Sequence, residues 1–303
     1  MKILIPVDGS KHSMAALAFV ASRSTLIGTQ PAVVLINAQV PVPAAVASSA
    51  GSAMVRRIYE SEASAVLAPA LAKLKKAGIQ ATARHVVGSP GASIGAAAAA
   101  SDADLVVMGS HGHSAIKGLL FGSVTNAVLA ASAKPLLVVR DKAAPKRDSL
   151  VVGIAVDGSK SSLAAVRYAI RHRDLFGAAP TLHLIYVAPD LFTRVIPGLG
   201  DAPIPIYSPQ QILEAQTATF NESIAPARQL LAKAGLQATE IFLVGNSPGD
   251  EIAAYATKKK LDVLVMGTRG YGKLKAAVLG SVATRVAARC RTPLLLIHEK
   301  SRA

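Results

Sequence analysis

The chain has very little cysteine and no tryptophan. Cys290 is the only cysteine among 303 residues, so no intramolecular disulfide can form and a small fold held by disulfides is excluded. Long apolar runs are also missing: stretches such as Leu136 to Val139 have the length of a strand and fall far short of a membrane span. The N-terminal segment turns polar at Asp8 before a signal-peptide core is complete. We therefore expect a soluble, cytoplasmic protein with no membrane segment.

The residues that are abundant point to a buried α/β interior. Residues of the hydrophobic class make up 51% of the chain, while aromatic residues make up 4%, a balance that suits buried parallel strands beneath alanine-rich helices. The length is enough for two domains, each with its own core. The formal net charge of +15 favours attraction of polyanions, including nucleotides. No nucleic-acid-binding motif accompanies these charges, so nucleic acid is not an expected partner.

A repeat runs through nearly the whole sequence. The segment from Ile5 to Ser10, Ile-Pro-Val-Asp-Gly-Ser, recurs as Ile-Ala-Val-Asp-Gly-Ser from Ile154 to Ser159, and later segments recur in the same order. The second repeat has eight additional residues within 189–209 and one more at Asn246. A charged, proline-containing junction lies between residues 141 and 149 and is typical of a linker. The repeat predicts two domains, 1–143 and 149–303.

Within each repeat, short apolar runs alternate with alanine-rich helical segments. In the first repeat the predicted strands are 2–7, 32–38, 80–87, 105–109 and 136–140. The predicted helices are 13–24, with Ser10 or Ser13 as N-cap, 55–77, 90–100 and 124–131. Strands that alternate with helices favour parallel pairing through right-handed crossovers. The sequence thus predicts an α/β fold of two tandem, doubly wound, Rossmann-like domains, each a five-stranded parallel sheet with helices on both faces.

A glycine-rich segment follows the fourth predicted strand of each repeat. Its pattern is Gly-x2-Gly-x9-Gly-Ser, formed by Gly109, Gly112, Gly122 and Ser123 and again by Gly267, Gly270, Gly280 and Ser281. It begins at the carboxyl end of a strand, where open α/β sheets bind ligands, and it ends at a helix start, whose free N–H groups favour phosphate. The alternative interpretation is that these glycines only form turns.

A carboxylate follows the first strand of each repeat, at Asp8 and Asp157. Strands one and four are neighbours in a doubly wound sheet, so this side chain is expected to face the glycine-rich loop. It could accept hydrogen bonds from ribose hydroxyls or lie near a divalent cation, Mg²⁺ or Mn²⁺, bound to phosphate. The alternative is that each Asp-Gly-Ser forms a turn before a helix.

Together, the Asp-Gly-Ser segment, the fourth strand and the Gly-x2-Gly-x9-Gly-Ser spacing resemble the universal stress protein family in both repeats, and the glycine spacing is similar to its ATP-binding branch. The resemblance implies that adenine, ribose and phosphates of ATP meet Pro6, Asp8, Ala38, Met108, Gly109, Gly112, Gly122, Ser123 and Val124. In the second repeat the matching positions are Ala155, Asp157, Val187, Met266, Gly267, Gly270, Gly280, Ser281 and Val282. It also implies association through the last strands, 136–140 and 294–299, within one chain as a pseudo-dimer or between chains as a homodimer.

The two loops differ in sequence. His111 and His113 of the first repeat correspond to Arg269 and Tyr271 of the second. An arginine at this point could add a phosphate contact. Two histidines with no third ligand do not predict a metal site. The inserted segment 189–209 is apolar and proline-rich; it could cover a pocket or meet a partner, and simple loop drift explains it equally well.

One known catalytic signature is missing. The sequence contains no Gly-x4-Gly-Lys-Ser/Thr phosphate loop, and Cys290 falls in a predicted helix with no sequence feature that indicates reactivity. We expect an ATP-binding stress-response protein in which the nucleotide regulates conformation or partner binding, with slow hydrolysis at most. The alternatives are a binder of another adenine nucleotide such as cyclic AMP, or a slow ATPase or adenylyl-transfer enzyme.

Overall fold

The computed structural model describes residues 1–23, 26, 32–110, 121–140, 144–191, 208–269 and 279–299. The strands of the first repeat are β1 (Lys2–Pro6), β2 (Ala32–Gln39), β3 (Ala81–Val87), β4 (Leu105–Gly109) and β5 (Leu136–Val139). Those of the second are β6 (Val151–Ala155), β7 (Thr181–Ala188), β8 (Thr239–Val244), β9 (Val263–Gly267) and β10 (Leu294–Ile297). Both repeats therefore form five strands within the described residues.

Helices separate the strands as predicted. In the first repeat they are α1 (Lys11–Ala21), α2 (Ala44–Ala50), α3 (Ser52–Lys76), α4 (Pro90–Ala100) and α5 (Ser123–Ala131). In the second they are α6 (Lys160–Arg171), α7 (Pro209–Lys233), α8 (Pro248–Lys258) and α9 (Ser281–Arg289), with a short 3₁₀ turn at Arg173–Phe176. Among the described residues, none of these helices combines the length and apolar character that a membrane crossing requires.

All ten strands belong to one sheet, in the order β3-β2-β1-β4-β5-β10-β9-β6-β7-β8. Within each repeat the neighbouring strands are parallel, while β5 and β10 pair antiparallel and join the repeats. The predicted α/β class with two five-stranded units is confirmed. The last strands of the two repeats pair within one chain, as the resemblance implied.

The side chains of each strand alternate between the two faces of the sheet. Ile3 and Ile5 join one apolar cluster, which also contains residues of α1, α3, α6 and α7, while Leu4 joins another with residues of α4, α5, α8 and α9. Because strand side chains repeat every two residues, uninterrupted apolar strands bury both faces. Each cluster includes residues of both repeats, so the two layers of helices run across the whole sheet.

The helix ends differ in detail from the prediction. Helix α1 begins at Lys11, and the side chain of Ser10 caps it by accepting from the Ser13 N–H group. Helix α2 was not predicted, because none of its residues is buried and an apolar stripe is what reveals a helix in a sequence. The placement of Cys290 within a helix was wrong: α9 ends at Arg289, and the buried Cys290 follows it.

Buried polar side chains tie the repeats together at the amino ends of the strands. The Arg23 side chain is fully buried and donates to the carbonyl oxygens of Arg147 (2.8 Å) and Asp148 (2.9 Å). From the second repeat to the first, the Tyr168 hydroxyl donates to the carbonyl oxygen of Asp104 (3.1 Å). The region predicted as a linker is therefore held in place at residues 147 and 148, and the proposed domain limits of 1–143 and 149–303 stay a prediction.

Candidate functional site

A cavity of about 260 Å³ lies at the carboxyl ends of β6, β7 and β9, beside the first turns of α8 and α9. It is lined by Ala155, Val156, Asp157, Ser162, Ile185, Val187, Pro248, Ile252, Met266, Gly267, Thr268, Arg269, Gly280, Ser281, Val282 and Ala283. This is the edge of the sheet at which doubly wound folds bind ligands, because the strand order reverses there.

Eight of the predicted residues of the second repeat meet around this cavity. They are Ala155, Asp157, Val187, Met266, Gly267, Gly280, Ser281 and Val282. The ninth, Gly270, lies outside the described residues, as do Tyr271 and most of the inserted segment 189–209. The structure shows that these residues are neighbours; their contact with nucleotide stays a prediction.

Sequence reasoning missed the apolar wall of the cavity. Ile185 and Ile252 are almost completely buried and line the cavity together with the predicted Val187 and Met266. Ile252 belongs to α8, an element that carried none of the predicted site residues. One signal was available: Ser-Pro-Gly recurs at Ser89 and Ser247 and marks the start of the helix that supplies this wall.

Helix α9 begins in the cavity without a side-chain cap. Gly280 is its N-cap residue, with φ −61° and ψ 158°, and no side chain bonds to the first-turn N–H groups. The N–H of Gly280 itself donates to the carbonyl oxygen of Thr268 (2.8 Å). The first hydrogen bond within the helix is donated by the Thr284 N–H group to the carbonyl oxygen of Gly280. The intervening N–H groups of Ser281, Val282 and Ala283 have no acceptor within the helix. They lie at the positive end of the helix dipole.

The first helix of each repeat begins differently. The side chain of Ser159 caps α6, and Ser10 does the same for α1. A serine at the N-cap position satisfies a first-turn N–H group from within the protein, whereas a glycine leaves that group for an external acceptor. The helix start at Gly280 is therefore suited to an anion.

Gly267 has a packing role that the sequence did not reveal. A Cβ atom added at this position would lie 2.4 Å from Ser161 Oγ and 2.8 Å from the Ser161 carbonyl carbon. In the first repeat, a Cβ atom at Gly109 would lie 2.5 Å from the carbonyl carbon of His12. Each glycine thus allows the first helix of its repeat to contact the end of the fourth strand, which places the cavity wall.

Asp157 forms a turn and also lines the cavity. Its Oδ1 accepts a hydrogen bond from the Ser159 N–H group (3.0 Å), and its own N–H group lies 3.4 Å from Ser162 Oγ. Asp8 makes the same contact with Ser10 in the first repeat (3.0 Å). The turn interpretation and the ligand interpretation are therefore compatible, because Oδ2 of Asp157 takes no hydrogen bond from the described residues.

Arg269 lines the cavity at the end of β9, and His298 lies behind the lining residue Thr268. The backbone N–H of Arg269 lies 3.4 Å from Ser161 Oγ, and His298 Nδ1 lies 3.4 Å from Thr268 Oγ1. Burial, and then the positive charge of Arg269, hold the pKa of His298 below its ordinary value. Above that lowered pKa the imidazole is neutral, so of these two described side chains it is Arg269 that carries the positive charge. No group of three or more potential metal ligands occurs among the described residues.

The first repeat places its predicted residues on corresponding elements. Pro6, Met108 and Gly109 end β1 and β4, and Ala38 lies in β2. Gly122 is the N-cap of α5, with φ −62° and ψ 160° and no side-chain cap, and its N–H donates to the Ser110 carbonyl oxygen (2.8 Å). Ser123 and Val124 form the first turn of α5. Gly112, His111 and His113 lie outside the described residues.

Comparisons with known proteins agree on one family. The model of the universal stress protein family matches residues 1–140 and again 151–298. A universal stress protein of Methanocaldococcus jannaschii is 31% identical over 147 residues, which cover 48% of this chain and 80% of that protein. One from Mycobacterium tuberculosis is 26% identical over 203 residues, 65% of this chain and 62% of the relative. The crystal structure of a universal stress protein from Archaeoglobus fulgidus matches with a TM-score of 0.68 at 21% identity, over 98% of both chains.

Proposed function

The chain belongs to the universal stress protein family, and from this premise we propose that it binds ATP as members of the ATP-binding branch do. The second repeat would hold the nucleotide in the cavity at the carboxyl ends of β6, β7 and β9, and the first repeat would hold one at the corresponding place. The observation that carries the proposal is the uncapped, glycine-initiated start of α9 beside an apolar wall.

The apolar wall suits the adenine base. Ile185, Val187, Ile252 and Met266 offer carbon surface on which a flat ring system can be buried, and ligand cavities commonly combine such surface with a few polar groups. Backbone groups at the strand ends would provide the hydrogen bonds that distinguish adenine. This side of the cavity would therefore receive the base, with the sugar directed towards Asp157.

The start of α9 suits the phosphates. Three first-turn N–H groups and the hydroxyl of Ser281 can donate to phosphate oxygens, and Arg269 adds a positive charge at the cavity border. Asp157 Oδ2 can accept from a ribose hydroxyl. Mg²⁺ or Mn²⁺ carried with the nucleotide would be held by phosphate oxygens, with at most this carboxylate from the described lining residues.

The same features favour binding over rapid catalysis. Among the described lining residues Asp157 is the sole carboxylate, and its Oδ1 accepts the bond that shapes its own turn. A general base must be directed at an attacking water and tuned for proton transfer, whereas one oxygen of this carboxylate is held in the turn and the other would accept from the ribose. We propose that bound ATP acts by changing conformation or partner choice in a stress response, that hydrolysis is slow at most, and that further association is through homodimers.

The proposal is tested by native mass spectrometry and calorimetry on the full chain. We expect ATP to bind in the presence of Mg²⁺ with two nucleotides per chain. Cyclic AMP and adenosine serve as competitors, and tighter binding of cyclic AMP than of ATP would identify the ligand as another adenine nucleotide. If the purified protein carries no nucleotide and calorimetry detects no ATP binding at millimolar concentration, the proposal is wrong.

We predict that Arg269→Ala weakens ATP binding at the second repeat about tenfold, since a hydrogen bond to a charged group contributes about 1.5–3 kcal/mol. Adenosine, which has no phosphate, should bind equally well to both proteins. The measurement is calorimetry on each protein with each ligand.

Lys258→Ala is the control for Arg269→Ala. It removes one exposed positive charge at the amino-terminal edge of the sheet, opposite the cavity, and should leave ATP affinity unchanged. An equal loss of ATP and adenosine affinity in Arg269→Ala would contradict a phosphate contact.

A further inference from the structure

One side chain of the first repeat contacts the helix that begins in the second repeat's cavity. Arg140, which follows β5, donates a hydrogen bond from Nη2 to the carbonyl oxygen of Ala287 in α9. The last bond of that helix runs from the Cys290 N–H group to Val286, so Ala287 carries the first carbonyl without a helical partner. Arg140 supplies the missing donor and places a cation at the negative end of α9, where it is favourable.

The same guanidinium lies against the first repeat's own glycine-rich loop. Arg140 Cζ is 5.3 Å from the centre of the Phe121 ring, and Phe121 is fully buried. Phe121 directly precedes Gly122, the N-cap of α5, whose N–H donates to the Ser110 carbonyl oxygen. The N–H of Ser110 in turn donates to the carbonyl oxygen of Val139 (2.9 Å), the residue before Arg140. Arg140 is therefore connected to both described ends of the first loop.

Helix α9 is short enough to transmit a displacement along its length. It contains nine residues and is about 13 Å long. Its last turn is held by Arg140, and its first turn presents the N–H groups that line the second cavity. A helix of this length moves as a rigid body, so a shift of Arg140 changes the position of the first-turn donors.

Among the described residues, no side chain of the second repeat makes the corresponding contact with helix α5 of the first repeat. The residue that corresponds to Arg140 in the second repeat is His298. Its Nδ1 lies 3.4 Å from Thr268 Oγ1, and its Nε2 is buried without a hydrogen-bond partner among those residues. The connection therefore runs from the first loop, through Arg140, to α9.

We infer that Arg140 is a positioning residue that couples the two nucleotide sites. A nucleotide bound at the start of α5 fixes Gly122 and, through it, Phe121 and Ser110. These residues position Arg140, which in turn holds α9 in place for the second nucleotide. ATP in the first site then raises the affinity of the second, and by linkage the effect is reciprocal. This inference rests on the proposed function, since it concerns how the same two sites regulate one another.

The coupling is measured with single-site variants. Gly122→Val leaves only the second site and Gly280→Val leaves only the first, and calorimetry with ATP and Mg²⁺ gives the binding constant of each. Dividing the overall constant for two ATP molecules in the wild type by the product of these two constants gives a coupling factor. We expect a factor of about five or more, the lower end of the usual range for coupled sites. With Arg140→Ala added to all three proteins, we expect a factor of one.

Arg289→Ala is the matched control. It removes a cation from the last turn of the same helix, but the ion pair of Arg289 is with Asp250 of the second repeat (3.5 Å). The coupling factor should therefore persist. A merely structural role of Arg140 would lower the melting temperature and leave the factor unchanged. If Arg140→Ala folds too poorly to titrate, Arg140→Lys, which keeps the charge but not the planar guanidinium, should also reduce the factor to one.

The outcomes separate the two proposals. If the wild type binds no ATP, the proposed function fails and this inference fails with it. If the wild type binds ATP at one site only, or at two sites with a factor of one, or with a factor that Arg140→Ala leaves unchanged, the coupling is wrong while ATP binding stands.

Discussion

Gly280→Val is expected to weaken ATP binding at the second repeat about 100-fold or more, while the protein remains folded. The backbone of Gly280 has φ −61° and ψ 158°, a conformation that valine adopts readily, so the substitution introduces no backbone strain. Its side chain would occupy space at the N-cap, where phosphate oxygens must approach the first-turn N–H groups. The loss of two hydrogen bonds to a charged ligand, at about 1.5 kcal/mol each, accounts for a change of this size.

The measurement is the stoichiometry of ATP binding by native mass spectrometry and calorimetry. Gly280→Val should retain one ATP per chain, held by the first repeat, and Gly122→Val should retain one held by the second. Circular dichroism and the melting temperature report whether each variant is folded. Two ATP molecules bound to a folded Gly280→Val protein would show that the phosphates do not lie at the start of α9.

Gly267→Ala is expected to reduce the free energy of unfolding by about 3 kcal/mol, at the upper end of the usual cost of overpacking. The added Cβ atom would lie 2.4 Å from Ser161 Oγ and 2.8 Å from the Ser161 carbonyl carbon. The hydroxyl can rotate away, but the backbone of α6 cannot withdraw without disturbing the buried residues Ala164, Ala165 and Tyr168. The change therefore acts on the packing of α6 against β9, independently of any ligand.

Gly235→Ala is the control for this second prediction. Gly235 has φ +67° and no atom within 4 Å of an added Cβ, so the substitution should cost only the strain of a left-handed backbone, about 1 kcal/mol. Urea denaturation of both variants without nucleotide gives the comparison. Equal losses would mean that α6 and the end of β9 are not in close contact.

The sequence predicted the strands more reliably than the helix ends. β4 and α4 have the predicted limits, and the other predicted strands of the first repeat differ by a residue at one end. Helix α2 was not predicted because none of its residues is buried, so no apolar periodicity distinguishes it from a loop. Ser10 and Ser13 were both acceptable caps by residue type, and only the backbone geometry identified Ser10.

The sequence likewise predicted some residues of the candidate site and missed others. Asp157, Gly267 and Gly280 were found because each belongs to a repeated motif next to a strand or helix boundary. Ile185 and Ile252 were missed, since an isoleucine that lines a cavity has the same sequence signal as one in a core. The packing role of Gly267 depends on Ser161, a residue of another element, and could not be inferred from the glycine spacing.

The sequence by itself determined the duplication, the alternation of strands with helices and the position of each glycine-rich loop, because these depend on local periodicity and on residue type at element boundaries. Only the tertiary structure decided which apolar side chains form the cavity wall and which side chains connect the repeats. Arg140 and Ala287 are 147 positions apart, and they meet because β5 and β10 pair antiparallel and join the two repeats in one sheet. Such a contact arises from the packing of whole elements, and no local pattern in the sequence encodes it.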